Sequence, residues 1–385
     1  MLPILEKTKC SGCGACAAVC PKNCIEMKAD KEGFLYPEIN EQICINCGLC
    51  KKICPSVSQV KTKANIPVAY AAINNDEKTR LESSSGGIFT LLAQKVIENG
   101  GVVFGAAFNS NFEVEHVYVK EIKDLEKLRG SKYTQSKIGD AYKTAKEFLD
   151  NGVQVLFSGT PCQISGLKSY LNKEYENLIT QDLICHGAPS PLVWKEYVNY
   201  RRDEQNANVD KIMFRDKKNG WKNYCVSMHF SDNTEYSCPL GTDPFMRVFL
   251  ENLCLRPSCY NCVHDGYNRV ADITLADFWG IWNIDKDFYD DKGTSLVIVN
   301  SSKGKEVFEV IKPLINSKQV DFNEAIKSNP CYDKSVEMPK GRNKFMKEFS
   351  KDLFDGGSKK YIKVPFKLKI RRGLSKIKRM IIRSK

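Results

Sequence analysis

The sequence predicts a small α+β domain over residues 1–60, followed by a larger α/β domain with a mostly parallel sheet. The first observation behind this prediction is a pair of matching cysteine runs within the first 60 of 385 residues. The second is the alternation of strand and helix patterns from residue 68 onward. The third is the length of the chain, because one hydrophobic core rarely serves so many residues.

The composition indicates a folded protein from a reducing compartment. Hydrophobic residues make up 42% and charged residues 27%, as in ordinary globular proteins. Charged residues interrupt the N-terminus before any apolar run long enough for a signal peptide, so the 17 cysteines are expected to bind metal rather than form disulfides. No run of 18 apolar residues predicts a membrane span. We therefore expect a cytoplasmic protein.

Each N-terminal cysteine run has the spacing of a bacterial 4Fe-4S ligand sequence. The pattern Cys-x2-Cys-x2-Cys-x3-Cys-Pro occurs at residues 10–21 and again at residues 44–55. Three cysteines of each run hold one cluster and the fourth crosses to the other, whereas zinc would gain nothing from the Cys-Pro ending. The runs predict a two-cluster ferredoxin domain, with Cys10, Cys13, Cys16 and Cys54 as ligands of the first cluster and Cys44, Cys47, Cys50 and Cys20 as ligands of the second.

A linker over residues 61–67 leads into the α/β pattern. We expect residues 68–150 and 151–330 to be the two parts of that domain, and residues 331–356 to be a connecting segment. Within 209–238, turn sequences such as Lys218-Asn219-Gly220 predict hairpins. The predicted strands cover residues 68–73, 102–108, 153–157, 179–185 and 295–299, and the predicted helices cover residues 87–98 and, approximately, 138–150, 164–174 and 303–316.

Three loops have the composition of binding sites at strand ends. Ser83-Ser84-Ser85-Gly86-Gly87 opens a helix, where free N–H groups suit a pyrophosphate, although the same sequence is also an ordinary N-cap. In the loop over residues 158–163, Cys162 stands at a helix start, which favours a thiolate. Cys185 opens the third loop, although cysteine is also common in buried strands.

A further cysteine set has the spacing Cys254-x4-Cys259-x2-Cys262. This spacing matches the first three ligands of plant-type iron–sulfur sites, whose fourth cysteine is distant in sequence. Zinc is an alternative, because His264 follows closely. We interpret the set as a third 4Fe-4S site, with Cys162 as the preferred fourth ligand and Cys185 in reserve. The other cysteines, Cys24, Cys225, Cys238 and Cys331, belong to no ligand spacing.

The usual Gly-rich dinucleotide and P-loop signatures are missing, which leaves room for a flavin on the Ser/Gly loop. A flavin would connect hydride transfer to the single electrons of iron–sulfur centres. Six short segments stand out in order across residues 68–300. They are Ser84-Ser85-Gly86-Gly87, Gly130-Ser131-Lys132-Tyr133, Gly159-Thr160-Pro161-Cys162-Gln163, Asp182-Leu183-Ile184-Cys185-His186-Gly187, the cysteines at 254–262 and Ala271–Gly280.

Taken together, these segments resemble the family of coenzyme F420-reducing hydrogenase/dehydrogenase beta subunits, to which 7-hydroxymethyl chlorophyll a reductase also looks related. The resemblance implies an FAD in the α/β domain beside a 4Fe-4S cluster, with the ferredoxin domain relaying electrons. Ala276 stands where the family often has Gly, so Asp277 is read equally as a site residue or as a turn or cap. The flavin contacts that the resemblance implies are Ser84, Ser85, Gly86 and Gly87, with Lys132 as a partner for a phosphate or for reduced flavin.

The leading hypothesis is an FAD-dependent iron–sulfur oxidoreductase that transfers electrons between 4Fe-4S clusters and a hydride-accepting substrate or cofactor. Its redox partner would be a ferredoxin or a similar protein. The alternative is a non-catalytic electron-relay subunit of a larger redox complex, and a third reading is a redox-sensing or zinc-stabilised binding protein. The sequence identifies neither the catalytic residues nor the substrate.

The net charge of +12 is located in one C-terminal segment. Residues 357–385 contain 12 Lys and Arg and no acidic residue, which accounts for the whole excess. Ile370, Leu374 and Ile377 recur at helical spacing among these charges, which predicts a basic amphipathic helix. Such a tail could bind the inner face of a membrane or an acidic protein, or it could be a solvated tail. No aromatic platform accompanies it, so nucleic-acid binding is not predicted.

Overall fold

The computed structural model of the chain describes residues 6–58, 67–266, 269–355 and Tyr361. The predicted basic tail lies outside the described residues apart from Tyr361. The predicted linker lies outside them apart from its last residue. None of the described helices combines the length and the apolar character that a bilayer-spanning helix needs.

The two cysteine runs fold into an α+β module, as predicted. Each run ends in a one-turn helix whose first residue follows a glycine in the left-handed region: α1 (Ala15–Ala18) follows Gly14 with φ 77°, and α2 (Leu49–Lys52) follows Gly48 with φ 74°. Glycine adopts this conformation without steric cost. Strands β1 (Ile25–Ala29) and β2 (Leu35–Ile39) form an antiparallel pair between the helices.

The rest of the described chain is built on an eight-stranded sheet and a separate three-stranded sheet. The strands of the large sheet are β3 (Val68–Asn74), β4 (Val102–Phe108), β5 (Val114–Val119), β6 (Val155–Ser158), β7 (Leu178–Leu183), β11 (Ile273–Asp277), β12 (Ser295–Val299) and β13 (Ile315–Val320), and those of the small sheet are β8 (Val209–Asp216), β9 (Cys225–Phe230) and β10 (Glu235–Pro239).

The large sheet has the strand order β13-β3-β12-β11-β7-β6-β4-β5. Its centre, β11-β7-β6-β4, is parallel, and the pairs toward both edges are antiparallel. The α/β class with a parallel central sheet is therefore confirmed, and the antiparallel edge strands make the whole sheet mixed. Because the four central strands run in one direction, their carboxyl ends lie along one edge, where ligand sites form in such folds.

Helices cover both faces of the large sheet. On one face, α4 packs through Ile88, Leu91 and Leu92, which recur at helical spacing, and α10 lies beside it. The other face is covered by α5 and α6. The described helices beyond the cysteine module are α3 (Glu77–Glu82), α4 (Ile88–Glu98), α5 (Ala141–Asp150), α6 (Pro161–Leu171), α7 (Pro191–Gln205), α8 (Pro244–Leu250), α9 (Ile281–Ile284), α10 (Ser302–Ile311), α11 (Phe322–Ile326) and α12 (Arg342–Glu348).

The hairpins predicted for residues 209–238 are confirmed as the three-stranded antiparallel sheet β10-β9-β8. This sheet packs on α7 and α8 through an aromatic core that contains Trp194, Phe214 and Phe245. Phe345 of α12 joins the same core, which fixes the segment after residue 330 to the small sheet.

The cysteine module docks on the helix face formed by α5 and α6. Ala15 is fully buried there, in one hydrophobic cluster with Tyr142 and Ile164. Gly166 of α6 permits this approach, because a Cβ atom at that position would lie 3.0 Å from the Cβ atom of Cys13. An ion pair adds to the contact, with Arg342 Nη1 2.6 Å from Glu32 Oε1.

Candidate redox site

A cavity of about 590 Å³ lies at the carboxyl ends of the parallel strands. The loops after β6 and β7 form two of its walls, as the sequence predicted for ligand sites in this fold. Asp277 and Trp279 contribute a third wall from the end of β11, and Ser11 and Ser56 of the cysteine module close one side. The volume lies in the range typical of small-molecule and cofactor sites.

The Ser/Gly loop lies on the cavity wall and is fixed by hydrogen bonds. The Ser84 hydroxyl accepts a 2.8 Å hydrogen bond from the Ser131 backbone N–H, and Ser85 Oγ donates to the carbonyl of Thr294 at 2.9 Å. Ser84, Ser85 and Gly87 line the cavity. Gly86 does not: it packs against the sheet, where a Cβ atom would lie 2.5 Å from the carbonyl oxygen of Ala72. The structure thus brings three of the four predicted flavin contacts to the cavity.

Strand β8 and the residue after it hold the carbonyl side of the same loop. Arg215 donates to the Ser84 carbonyl at 3.3 Å, and Lys217 Nζ donates to the Ser85 carbonyl at 2.8 Å. Burial lowers the pKa of Lys217 to about 7. These two hydrogen bonds fix the backbone of the Ser/Gly loop at the cavity wall.

Asp277 lies on the cavity wall at the end of β11 and is held by two side chains. Arg215 binds its carboxylate in a bidentate manner at 2.6 and 2.9 Å, and Trp221 Nε1 donates to it at 2.7 Å. Trp221 in turn stacks on Trp279, with ring centroids 4.7 Å apart. Sequence reasoning left the role of Asp277 open and did not identify Arg215.

Lys132 lies on the cavity wall, half-buried, and its ammonium donates to the carbonyls of Lys127 and Arg129 at 3.0 Å each. Burial lowers the pKa of Lys132 to about 7. A lysine with this pKa exchanges its proton near neutral pH, which a free lysine does not.

Five cysteines line the cavity, and four of them lie close together. Burial raises the pKa of the Cys185 thiol well above its ordinary value, and the proximity of the other three thiols of this group adds to the rise. Buried thiols of this kind release their protons when they bind metal. The group of four, called the cavity set, consists of Cys162, Cys185, Cys259 and Cys262, whereas the fifth, Cys331, has its Sγ atom 3.6 Å from His186 Nδ1.

Backbone and hydroxyl groups hold individual thiols of this set. The Ala188 N–H donates to Cys259 Sγ at 3.3 Å, and the Thr160 hydroxyl lies 3.2 Å from Cys162 Sγ. The helix start alone would favour a Cys162 thiolate, but burial outweighs it and raises the pKa of that thiol. Burial likewise raises the pKa of Cys259 to about 11.

Cys254, which the spacing assigned to this set, does not lie on the cavity wall. It is fully buried in the aromatic core of the small sheet, close to Phe249 and Leu253, and its carbonyl accepts from the Ser190 N–H at 2.8 Å. The spacing counts residues but does not show on which side of the chain each thiol lies. Cys185, which the sequence analysis held in reserve, does lie on the cavity wall.

His264 lies beside the four thiols. Its Nδ1 atom is 3.1 Å from Ser165 Oγ, and its buried Nε2 atom has no partner among the described residues. Burial lowers the pKa of His264 to about 4, so the ring is neutral at ordinary pH. Within the described ranges, no three His, Cys, Asp or Glu side chains are arranged to hold a single metal ion.

The cysteine module brings both predicted ligand sets together. In the first set, burial and then the neighbouring Cys10 and Cys54 raise the pKa of Cys16 to about 12. The second set surrounds a small cavity of about 20 Å³, in which Cys24 Sγ also lies 3.3 Å from Cys20 Sγ. The predicted ligands on this second cavity are Cys20, Cys44, Cys47 and Cys50.

The large cavity has unused hydrogen-bonding capacity that suits a polar cofactor. Buried side-chain atoms should find partners, and those without one in a protein structure point to a missing ligand or water. Four such atoms belong to residues on this wall and have no partner in the described part of the chain: Arg129 Nε, Thr134 Oγ1, His264 Nε2 and Arg269 Nε. The lining residues therefore fit a cofactor with several polar groups.

Three family models match the chain. Residues 69–143 match the N-terminal family domain of the coenzyme F420 hydrogenase/dehydrogenase beta subunit, and residues 152–324 match the C-terminal domain of the same protein. Residues 9–57 match a 4Fe-4S dicluster domain.

Two curated relatives are each 29% identical to the chain. One is the coenzyme F420-dependent sulfite reductase of Methanocaldococcus jannaschii, matched over 51% of this chain and 30% of that protein. The other is a subunit of the F(420)H(2) dehydrogenase of Methanosarcina mazei, matched over 42% of this chain and 48% of that protein. The chain thus spans less than half the length of either relative.

A solved structure of the F420-reducing NiFe hydrogenase complex from Methanosarcina barkeri contains a chain that aligns with 70% of this one and 90% of itself. The TM-score is 0.45 and the sequence identity 18%. The N- and C-terminal matches to one family together cover most of the α/β domain. The chain belongs to the family of coenzyme F420 hydrogenase/dehydrogenase beta subunits and carries a 4Fe-4S dicluster domain at its N-terminal end.

Proposed function

We propose that the chain is an FAD-dependent iron–sulfur oxidoreductase that passes electrons between 4Fe-4S clusters and a hydride-accepting cofactor. The observation that carries this proposal is a single cavity whose walls combine the Ser/Gly loop before α4, a lysine of lowered pKa and the four cysteines of the cavity set. The cysteine module closes one side of the same cavity. Hydride chemistry and one-electron chemistry would therefore meet in one chamber.

The FAD would lie along the Ser/Gly loop. Ser84, Ser85 and Gly87 present hydroxyl and backbone groups at the start of α4, where N–H groups and the helix dipole favour a phosphate. Lys132 would neutralise a phosphate or the negative charge of reduced flavin. When bound, FAD exchanges two electrons as hydride with a substrate and single electrons with iron–sulfur centres.

The four cavity cysteines would hold the third 4Fe-4S cluster, with Cys185 in place of Cys254. Two of the four follow the ends of β6 and β7, and the other two lie within and directly after the short 3-10 helix Pro257–Asn261. The N–H of Ala188 would remain a donor to the Cys259 sulfur, and hydrogen bonds to ligand sulfurs are one of the protein's means of setting a cluster potential.

Electrons would leave the molecule through the second set of the cysteine module. Cys47 of that set is exposed, and the exposed side chains of Ile45 and Leu49 surround it. Exposed apolar residues around a cluster ligand suit contact with a one-electron partner protein. The cavity, the first set and the second set then form an ordered path to the surface.

The names of the relatives suggest the hydride partner. One is an F420-dependent reductase and the other belongs to an F420H2 dehydrogenase. We therefore propose coenzyme F420, a two-electron hydride carrier, as the first substrate to test. The part of the cavity that Trp279 and Asn329 line would receive the reacting ring of F420.

The test is anaerobic purification of the full chain, with iron, zinc, acid-labile sulfide and extracted flavin quantified on one sample. We expect about 12 irons and about one FAD per chain, and hydride exchange with F420 when a viologen dye supplies or accepts single electrons. About eight irons without flavin, or zinc in place of the third cluster, would refute the proposal. As a control, Cys225→Ser, which changes a cysteine outside the cavity, should keep the full iron and flavin content.

A relay subunit is the second candidate, because one relative is named as part of a dehydrogenase with several subunits. The same preparation separates the two functions. A relay subunit would contain the clusters but would exchange hydride with F420 only after addition of a partner chain. Turnover by the isolated chain would exclude this alternative.

A further inference from the structure

Arg256 is the one residue of the cavity cysteine motif that reaches into the cysteine module. It lies between Cys254 and Cys259 in sequence and is 1% exposed. Its Nε atom donates to the Cys10 carbonyl at 2.7 Å, and its Nη2 atom donates to the carbonyl of Leu35 at 2.9 Å. The guanidinium also lies over the ring of Tyr36, 4.2 Å from the centroid.

The module is shaped to receive this side chain. Gly12 in the first cysteine run has φ +68°, and a Cβ atom there would lie 2.6 Å from Arg256 Nη1. Gln135 bridges Arg256 and the module. Its Oε1 atom accepts from Arg256 at 2.9 Å, and its Nε2 atom donates to the carbonyl of Ser11 at 3.0 Å. The position of the guanidinium is thus fixed from three sides.

The charge of Arg256 is not balanced by a carboxylate. Arg256 makes no ion pair within the described part of the chain, although other buried arginines do: Arg215 pairs with Asp277, and Arg342 pairs with Glu32. Burial of an unpaired charge is costly, so a buried guanidinium is expected to have a negative counterpart. Carbonyl oxygens supply only partial charge.

The nearest candidates for that counterpart are the cysteine sulfurs of the two ligand sets. Arg256 Nη2 lies 3.6 Å from Cys10 Sγ of the first set. On the other side, the backbone carbonyl of Arg256 accepts from the Cys259 N–H at 2.9 Å, within the segment that carries two thiols of the cavity set. Arg256 therefore contacts two ligand sets that belong to different parts of the chain.

We infer that Arg256 is the electrostatic link between the first cluster of the cysteine module and the third cluster in the cavity, and that it raises the reduction potentials of both. This inference rests on the proposed function, which supplies the third cluster. A cluster held by four thiolates is anionic and becomes more so on reduction, so a fixed positive charge beside it stabilises the reduced state. One electron would pass between the clusters, reducing one and oxidising the other, with no bond made or broken.

The test is an anaerobic redox titration of the full chain followed by electron paramagnetic resonance, in which each cluster is measured separately. In Arg256→Gln, we expect the potentials of the first and third clusters to shift in the negative direction, while that of the second cluster stays unchanged. Arg256→Lys keeps the charge but loses the planar fork, so a smaller shift of the same two clusters is expected.

The double variant Arg342→Gln with Glu32→Gln is the matched control, because it removes a cation from the same interface together with its carboxylate partner and so leaves the net charge unchanged. It should leave all three potentials unchanged. Iron content reports whether each variant retains its clusters, and if Arg256→Gln loses iron, Arg256→Lys decides the question. Unchanged potentials in a variant with full iron, or an equal shift of all three clusters, would overturn the inference. A wild-type protein with only about eight irons would instead refute the proposed function, leaving the Arg256 effect measurable on the first cluster.

Discussion

Two cysteines show how much depends on the direction of a single side chain. Cys254 belongs to the ligand spacing by sequence, yet its thiol is buried among aromatic and aliphatic side chains. Cys185 belongs to no spacing, yet it lies in the cavity with Cys259 and Cys262. Ligand counting finds a metal motif, but only the fold determines which thiols face the same space.

We predict that Cys185→Ser lowers the iron content by about four atoms, one 4Fe-4S cluster, because it removes a proposed ligand while Cys331, the other thiol on this wall, contacts His186. Cys254→Ser should keep the full iron content and lose only folding stability, since the hydroxyl replaces a fully buried thiol. Iron and sulfide quantitation on anaerobic samples measures both. The reverse result, iron loss in Cys254→Ser alone, would restore the ligand set that the spacing predicts.

At Lys132 we predict a pH-dependent affinity for FAD. The ligand-free pKa of about 7 means that the ammonium loses its proton above that pH. A bound phosphate or flavin anion would raise this pKa, so binding above pH 7 takes up a proton. Affinity should then fall as pH rises, by up to about tenfold per unit.

Titration of apo-protein with FAD, followed by flavin fluorescence between pH 6 and 9, measures this dependence. Lys132→Met should bind more weakly and show no such slope. Lys127→Met is the control, because Lys127 is exposed and pairs with Asp124. A slope that persists unchanged in Lys132→Met would assign the proton to another group.

Elements that are far apart in sequence cooperate at the Ser/Gly loop. The loop precedes α4, but its carbonyls are bound by Arg215 and Lys217, at the end of β8, which lie some 130 positions later in the chain. Arg215 also binds Asp277 at the end of β11. The small sheet therefore stabilises the edge of the large sheet that lines the cavity.

We predict that Arg215→Gln destabilises the fold by about 3–5 kcal/mol, because it leaves the half-enclosed Asp277 carboxylate without its cation. Urea unfolding followed by circular dichroism measures the change. The double variant Arg215→Gln with Asp277→Asn should recover part of the loss. Lys312→Gln removes an exposed pair with Glu309 and should cost at most about 1 kcal/mol. A similarly small cost for Arg215→Gln would show that the Arg215–Asp277 ion pair contributes little to stability.

The elements that could be predicted are those with strong local signals. The helix predicted over 87–98 begins one residue later, at Ile88, and ends before Asn99-Gly100-Gly101 as expected. The strands at 102–108 and 295–299 have the predicted bounds. Strand β13 was not predicted, because Asn316, Ser317 and Lys318 give it the polar pattern of an edge strand.

The candidate site was predictable in part for the same reason. Two of its loops follow parallel strands, and the carboxyl ends of such strands lie on one edge of the sheet. Arg215 and Arg256 could not be predicted, because each reaches its partners only after one part of the chain has packed on another. The only local signal for Arg256 was its position between two cysteines, and the residues that it contacts depend on how the module docks.

At the scale of the whole molecule, the docking of the cysteine module sets the distance between the electron carriers. The module contacts α6 at Gly166, where a side chain would meet Cys13 and also the Tyr142 hydroxyl, 2.8 Å away. This close approach brings the first ligand set against the wall that carries Cys162.

We predict that Gly166→Ala slows electron transfer between the flavin and the module and lowers the melting temperature. Alanine would otherwise favour the helix by about 1 kcal/mol, so destabilisation would show that the interface outweighs helix propensity. Stopped-flow reduction of the flavin and clusters by F420H2 measures the rate. Gly241→Ala, where a Cβ atom meets nothing within 4 Å, is the control. Faster transfer or a higher melting temperature in Gly166→Ala would contradict this view of the interface.

The strand order has a further consequence for how the molecule is made. Strand β3, the first of the large sheet, lies between β12 and β13, the last two. It pairs with residues 295–299 on one side and 315–320 on the other. During synthesis, β3 must therefore wait for more than 200 residues before its partners exist, whereas the eight predicted ligands of the cysteine module all lie within residues 10–54. The module can thus take up its metal on the ribosome while the flavin chamber is still unformed, and a nascent chain arrested before residue 295 should already contain module clusters but bind no flavin.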